Sequence, residues 1–145
     1  MADRKPAPSR AQLEKIVEII VQKEPLFAVG EIENFGVKQR GYVNAPPDLR
    51  FLMQAAMEFA DKTAVVFEDQ RWTYGELVGK SIAVANGLIS RHGVKPGTRV
   101  VLAMRNCPEW MAVFLGVIAA GGVVVPMNGW WTSEEVGYGQ RDCGA

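Results

Sequence analysis

Histidine and cysteine are nearly missing from this sequence, which has one histidine, His92, and two cysteines, Cys107 and Cys143, in 145 residues. The cysteines stand far apart, without the paired spacing of a zinc site, and His92 has no companion with which to build a metal site or a cysteine–histidine nucleophile. Metal ligation and thiol catalysis are therefore set aside, and the thiols are expected to be free structural groups in a reducing compartment.

An excess of either charge is missing as well. Sixteen Lys and Arg balance sixteen Asp and Glu, so no long-range field draws the chain to nucleic acid or to an anionic membrane surface. Neither Gly-x-x-x-x-Gly-Lys-Ser/Thr nor Gly-x-Gly-x-x-Gly occurs, which removes the two commonest phosphate-cradling loops. The opening MADRKPAPSR has no apolar core of the kind a secretion signal needs, and the expected location is cytoplasmic.

Only one stretch is long and uncharged. Residues 110–127 run for eighteen residues without a charge, the lower limit for a helix that crosses a bilayer. Gly121-Gly122 interrupts the run, and Val123, Val124 and Val125 precede Pro126. That pattern predicts a helix closing at the glycines and a short buried strand, with no transmembrane segment. Peripheral membrane contact stays open.

What is present is a core. The 48% hydrophobic and 22% charged residues suit a packed globular protein. Ser9-x-x-Gln12 is a capping box that opens a helix with a Leu13, Ile16, Val17, Ile20 stripe, stopped by Pro25. Residues 26–43 read as short strands or an irregular arm. Ala45-Pro46-Pro47 is a linker signal, and Asp48 is placed to cap a helix carrying Leu49, Leu52, Met53, Ala56, Met57 and Phe59.

Beyond that linker the signals alternate. A strand is expected over 63–67, a turn at 68–70 and a returning strand over 71–73. Thr73-x-x-Glu76 is a second capping box, followed by Tyr74, Leu77, Val78, Ile82, Ala85, Leu88 and Ile89 at helical spacing up to Gly93. Lys95-Pro96-Gly97-Thr98 suits a type II turn into a buried strand over 99–104. Asn106 is expected to cap the next helix, with Pro108 in its first turn, and a second buried strand is expected over 123–127. Thr132-x-x-Glu135 then opens a last helix. Strands alternating with helices imply an α/β fold with a mainly parallel sheet covered on both faces.

The motifs read first as structure. Thr73 and Glu76 satisfy orphan amides at a helix start, and Glu76 has no second carboxylate or histidine that would make it a general base. Gly121-Gly122 lies between a helix end and a strand start, the reverse of a phosphate loop. Asn128, Trp130 and Trp131 follow a strand's C-terminal end, where open α/β sheets place ligands. The tryptophans are expected to pack against the missing remainder of the protein, with an acyl or aromatic pocket wall as the alternative.

Two of these segments resemble the adenylate-forming, or AMP-binding, superfamily. Trp72-Thr73-Tyr74-Gly75-Glu76-Leu77 is similar to its Thr-Tyr-x-Glu-Leu motif. Ile118-Ala119-Ala120-Gly121-Gly122-Val123-Val124-Val125-Pro126-Met127-Asn128 is similar to its helix–glycine–strand–proline element. Gly93 to Val100 resembles a third element, with Thr98 where the family has aspartate. Asn106-Cys107-Pro108-Glu109 resembles a fourth, and Glu134-Glu135-Val136-Gly137-Tyr138 a fifth. Phe27, Val29, Glu31, Glu33 and Asn44-Ala45-Pro46-Pro47 resemble actinobacterial-type fatty-acyl-CoA ligases.

The resemblance implies an N-terminal extension over 1–47 and the first part of an adenylation domain over 48–145. It implies a parent enzyme, an acid–thiol ligase that joins a carboxylic acid of the fatty class to coenzyme A through an acyl-adenylate, using ATP and Mg2+. The family's Ser/Thr-Gly-rich loop ending in Pro-Lys-Gly and its adenine-binding and C-terminal lysine residues do not occur in these 145 residues. No catalytic, cofactor or metal residue is therefore assigned, the 145-residue chain is expected to be an inactive fragment, and none of the cofactors is expected to bind it alone. Arg91, Lys95, Arg99 and Arg105 are expected to be solvated faces, not a coenzyme A phosphate clamp. Another adenylate-forming ligase or a non-catalytic binding module are the alternative readings.

Overall fold

The structure, a computed structural model, describes residues 7–145. The chain divides into two compact units, the first ending at Pro47 and the second running from Asp48 to Ala145.

In the first unit, helix α1 spans Arg10–Lys23 and opens on the expected box. Gln12 N–H donates to Ser9 Oγ at 3.3 Å and Ser9 N–H to Gln12 Oε1 at 2.7 Å. None of its residues is buried, so its apolar stripe is unpacked. Pro25 begins a single 3-10 turn. The arm then proves regular: β1 (Val29–Asn34) and β2 (Val37–Tyr42) form an antiparallel hairpin pairing Val29 with Tyr42 and Asn34 with Val37. Its two-residue turn, Phe35-Gly36, has positive φ at both positions, the turn that matches strand twist. Sequence patterning missed it because phenylalanine is a poor marker of left-handed backbone. Asn44 Nδ2 ties the far end by donating to the Pro25 carbonyl at 2.7 Å.

The second unit begins with α2 (Arg50–Ala56), whose only buried residue is Met53. The expected cap is displaced by one position. Leu49, with helical φ and ψ, stands at the N-cap, and Asp48 Oδ1 instead accepts from the Arg50 N–H at 2.8 Å while Arg50 Nε reaches Asp48 Oδ2 at 3.0 Å.

Strands β3 (Thr63–Phe67) and β4 (Gln70–Thr73) form an antiparallel hairpin with a bulge at Ala64. Helix α3 (Tyr74–His92) follows, held by the Thr73–Glu76 box at 3.1 and 2.8 Å and closed by left-handed Gly93. Its packed face is not quite the apolar stripe. Leu77, Ser81 and Ala85 are buried while Ile82 and Ile89 are exposed. The cause is α4 (Pro108–Ala119), which closes on α3 at Gly116; a Cβ there would lie 2.7 Å from Val84 Cβ and 2.9 Å from the Ser81 carbonyl. Small residues win that face, and Ser81 Oγ satisfies itself on the Leu77 carbonyl at 2.8 Å.

The Lys95–Thr98 turn feeds β5 (Arg99–Met104), α4 connects it to β6 (Val123–Asn128), and α5 (Ser133–Cys143) completes the unit. Strands β5 and β6 are parallel, in register from Arg99 with Val123 to Met104 with Asn128. Alternation splits their side chains between two faces. Val100 packs against Ala85, Val94 and Ala120, so α3 and α4 cover one face. On the other, Arg99 donates to the Cys143 carbonyl at 2.9 Å, and a Cβ on Gly139 would lie 3.0 Å from Met127 Cε, so α5 covers it. This is the α/β arrangement of a parallel sheet with helices on both faces. The β3–β4 hairpin forms a sheet of its own.

The uncharged stretch resolves as expected into a twelve-residue α4 and a strand. Among the described residues no helix is long and apolar enough to cross a membrane. Asn106 does not cap α4. Pro108 takes its first position, and the residue before a proline is confined to extended backbone, so Cys107 (φ −145°, ψ 165°) becomes the N-cap.

Candidate functional site

Gly121-Gly122 is the first feature to be tested for anion binding, and it has nothing to offer. Gly121 N–H donates to Ile118 O at 2.9 Å, Gly122 N–H to Val117 O at 2.9 Å and Val123 N–H to Thr98 O at 2.8 Å. Every amide that could meet a phosphate is already engaged. Gly121, at φ +80°, is there to turn the chain from α4 into β6. Nor do these residues suit Mg2+: among the described residues no three His, Cys, Asp or Glu side chains gather.

The four basic residues do not converge either. Arg91 closes α3 and Lys95 enters the following turn, both upstream of β5, and Arg99 is committed to the C-terminal end of α5. Arg105 lies just past the opposite end of β5. A six-residue strand, about 20 Å long, separates the last two.

Arg105 instead reaches a cleft at the C-terminal ends of the parallel strands. The cleft has a volume of about 700 Å³, and its walls are Met104, Arg105, Asn106, Cys107, Trp130 and, from the β3–β4 hairpin, Phe67 and Glu68. A hollow of about 210 Å³ shares Met104, Arg105, Asn106 and Trp130 and adds Trp110 and Asn128.

Two contacts build this edge. Gly129 lets the loop after β6 fold onto the end of β5; a Cβ there would stand 2.6 Å from the Met104 carbonyl oxygen and 2.9 Å from Arg105 N. Asn128 then turns the chain, its Oδ1 accepting from Trp130 N–H at 3.0 Å and its carbonyl from Trp131 N–H at 3.1 Å.

The tryptophans part company. Trp130 is 82% exposed and stands in the cleft, while Trp131, 41% exposed, leans on α5 so that a Cβ on Gly139 would lie 3.2 Å from its ring. Trp131 thus finds cover inside this chain, not in the remainder of the protein where packing was expected, and Trp130 lines the cleft. Phe67, Glu68, Asn106 and Cys107 join the cleft with no signal that sequence patterning would catch, because a separate hairpin brings the first two to the strand ends. The stacked pair Trp110 and Phe114, 5.1 Å between ring centroids, stiffens the first turns of α4 beside it.

Chemically, the cleft offers an exposed indole face, one guanidinium, one carboxylate and an apolar floor. It can grip a planar or acyl group, and it contains no paired acid and base for proton transfer.

Comparison with known proteins adds three relatives and a fold. Residues 52–145 match the family model described as AMP-binding enzyme. The 4-hydroxybutyrate–CoA ligase 2 of Metallosphaera sedula is 39% identical over 90 residues, 62% of this chain and 16% of that protein. The long-chain-fatty-acid–CoA ligase of Bacillus subtilis is 33% identical over 91 residues, 63% of this chain and 16% of that protein. Bacitracin synthase 1 of Bacillus licheniformis is 35% identical over 107 residues, 74% of this chain and 2% of that protein. The chain thus spans at most about a sixth of the length of these relatives. The Klebsiella oxytoca NpsA N-terminal subdomain shares the fold, with a TM-score of 0.63 at 24% identity over 68% of this chain and 26% of that one.

Proposed function

The chain belongs to the AMP-binding enzyme family, and we propose that it forms the opening α/β layers of an ATP-dependent acyl-CoA synthetase that activates a fatty acid. The family consists of adenylate-forming ligases. The observation that carries the finer reading is the pair of acid–CoA ligases among the relatives, at 39% and 33% identity. The likeness of Phe27, Val29, Glu31, Glu33 and Asn44 to Pro47 to fatty-acyl-CoA ligases points the same way.

In the proposed enzyme a carboxylic acid is joined to AMP with release of pyrophosphate, and the thiol of coenzyme A then displaces AMP. The residues of this chain take part by position. They build the parallel strand ends, seat Trp130 and Arg105 at the cleft, and leave phosphate and Mg2+ binding to segments with a different donor set, since the amides of Gly121, Gly122 and Val123 are spent on the fold. The place of action is the cytoplasm.

A second reading has its own support. The 35% identity to bacitracin synthase 1 favours an adenylation domain that loads an amino acid or aryl acid. The two are separated by acid-dependent ATP–pyrophosphate exchange in the natural protein that carries these residues, assayed with fatty, aryl and amino acids in parallel. Exchange that rises with fatty acids supports the synthetase; exchange confined to amino or aryl acids supports the second reading and overturns the first.

A further inference from the structure

Helix α1 has an apolar stripe that nothing among the described residues of the first unit buries. Leu13, Ile16, Val17 and Ile20 are 40–57% exposed, on a fourteen-residue helix with no buried residue. The helix lies before residue 52, outside the segment that matches the family.

The charges around the stripe say what kind of surface covers it. From residue 10 to 24, Arg10, Lys15 and Lys23 stand against Glu14, Glu18 and Glu24. Three against three gives no attraction to anionic headgroups, which removes the electrostatic part of a membrane-surface helix. The order of the charges matters more. At 100° per residue, Arg10 falls on the Val17 edge of the stripe and Glu24, the extended C-cap residue just past the helix, follows on the same edge at the other end, while Lys23 falls on the other flank beside Gln12. When two such helices lie antiparallel about a two-fold axis, each flank faces its own copy. Arg10 of one then meets Glu24 of the other, twice, while Leu13 meets Ile20 and Ile16 meets Val17 across the seam. A parallel pair brings Arg10 and Glu24 nowhere near one another.

We infer that α1 is a self-association surface whose occupant is α1 of a second copy of this chain, packed antiparallel with reciprocal Arg10–Glu24 pairs. The helix is about 21 Å long, so the seam lies below the standard size for a stable protein interface and the dimer is weak and reversible. Arg10 is placed to exchange partners, since among the described residues it pairs with exposed Glu14, Nε to Oε1 at 2.9 Å. The seam belongs to the first unit and the cleft to the second, and the inference stands or falls apart from the activity.

The test is sedimentation velocity on the natural protein that carries these residues, over a hundredfold range of concentration, in four forms: unaltered, Arg10→Glu, Glu24→Arg, and the double exchange. The expected result is concentration-dependent dimerisation that each single reversal weakens about tenfold and the double exchange restores. Circular dichroism of each variant separates lost pairing from lost helix. A chain that stays monomeric throughout overturns the inference, as do single and double variants that behave alike. Binding to phosphatidylcholine vesicles without dimerisation also overturns it, by showing that the stripe serves a lipid surface.

Discussion

Gly129 lies so close to Met104 that a methyl group on it would sit 2.6 Å from the Met104 carbonyl oxygen. The contact is backbone against backbone, so no side chain can step aside, and it holds the loop bearing Asn128 and Trp130 over the end of β5. Gly129→Ala is expected to destabilise the chain by about 1–3 kcal/mol. Urea denaturation measures the loss, and quenching of Trp130 fluorescence by iodide reports the displaced loop.

The two tryptophans should answer differently to removal. Trp130→Ala takes away a ring that is 82% exposed, and stability is expected to change by less than about 0.5 kcal/mol. Trp131→Ala strips the cover from Gly139 and Met127 and is expected to cost about 1–2 kcal/mol. Thermal unfolding of both variants side by side checks the contrast; equal losses would mean that Trp130 is packed and not a free cleft wall.

Thr98, which stands where the resemblance places an aspartate, closes its own turn. Its Oγ1 accepts from the Lys95 N–H at 3.0 Å while its own N–H donates to the Lys95 carbonyl at 2.9 Å. Thr98→Asp keeps an acceptor and should leave stability nearly unchanged, whereas Thr98→Val orphans the amide and should cost about 1 kcal/mol. Differential scanning calorimetry distinguishes them.

Stability should fall in acid partly through Glu135. The Thr132 backbone N–H, and then its hydroxyl, hold the Glu135 carboxyl below its ordinary value of 4.5. A carboxyl whose folded-state pKa is depressed contributes fully above the unfolded value and loses that contribution as pH falls through the folded value. Tm followed from pH 6 down to pH 3 should therefore drop less steeply in Glu135→Gln than in the unaltered chain. Asp48, held down by Arg50, acts in the same direction and is tested with Asp48→Asn.

What was legible in the sequence was local. Ser9 with Gln12, Thr73 with Glu76 and Thr132 with Glu135 each close a capping box within three residues, so spacing alone announces α1, α3 and α5. Gly97 and Gly121 likewise mark turns at positive φ. Patterning missed what depends on a neighbour. Ser81 is buried and Ile82 exposed because Gly116 of α4 arrives at that face. Asn106 gave up the cap because Pro108 confines the residue before it. The cleft needed three separate pieces, the ends of β5 and β6 and the tip of the β3–β4 hairpin, and only its tryptophan side was visible from chain position.

The most direct test of the functional account is thioester formation by the natural protein that carries these residues, given a fatty acid, ATP, Mg2+ and coenzyme A. The account predicts acyl-CoA and AMP in equal amounts, dependent on the fatty acid. AMP transfer that proceeds with an amino or aryl acid and yields no coenzyme A thioester would contradict it.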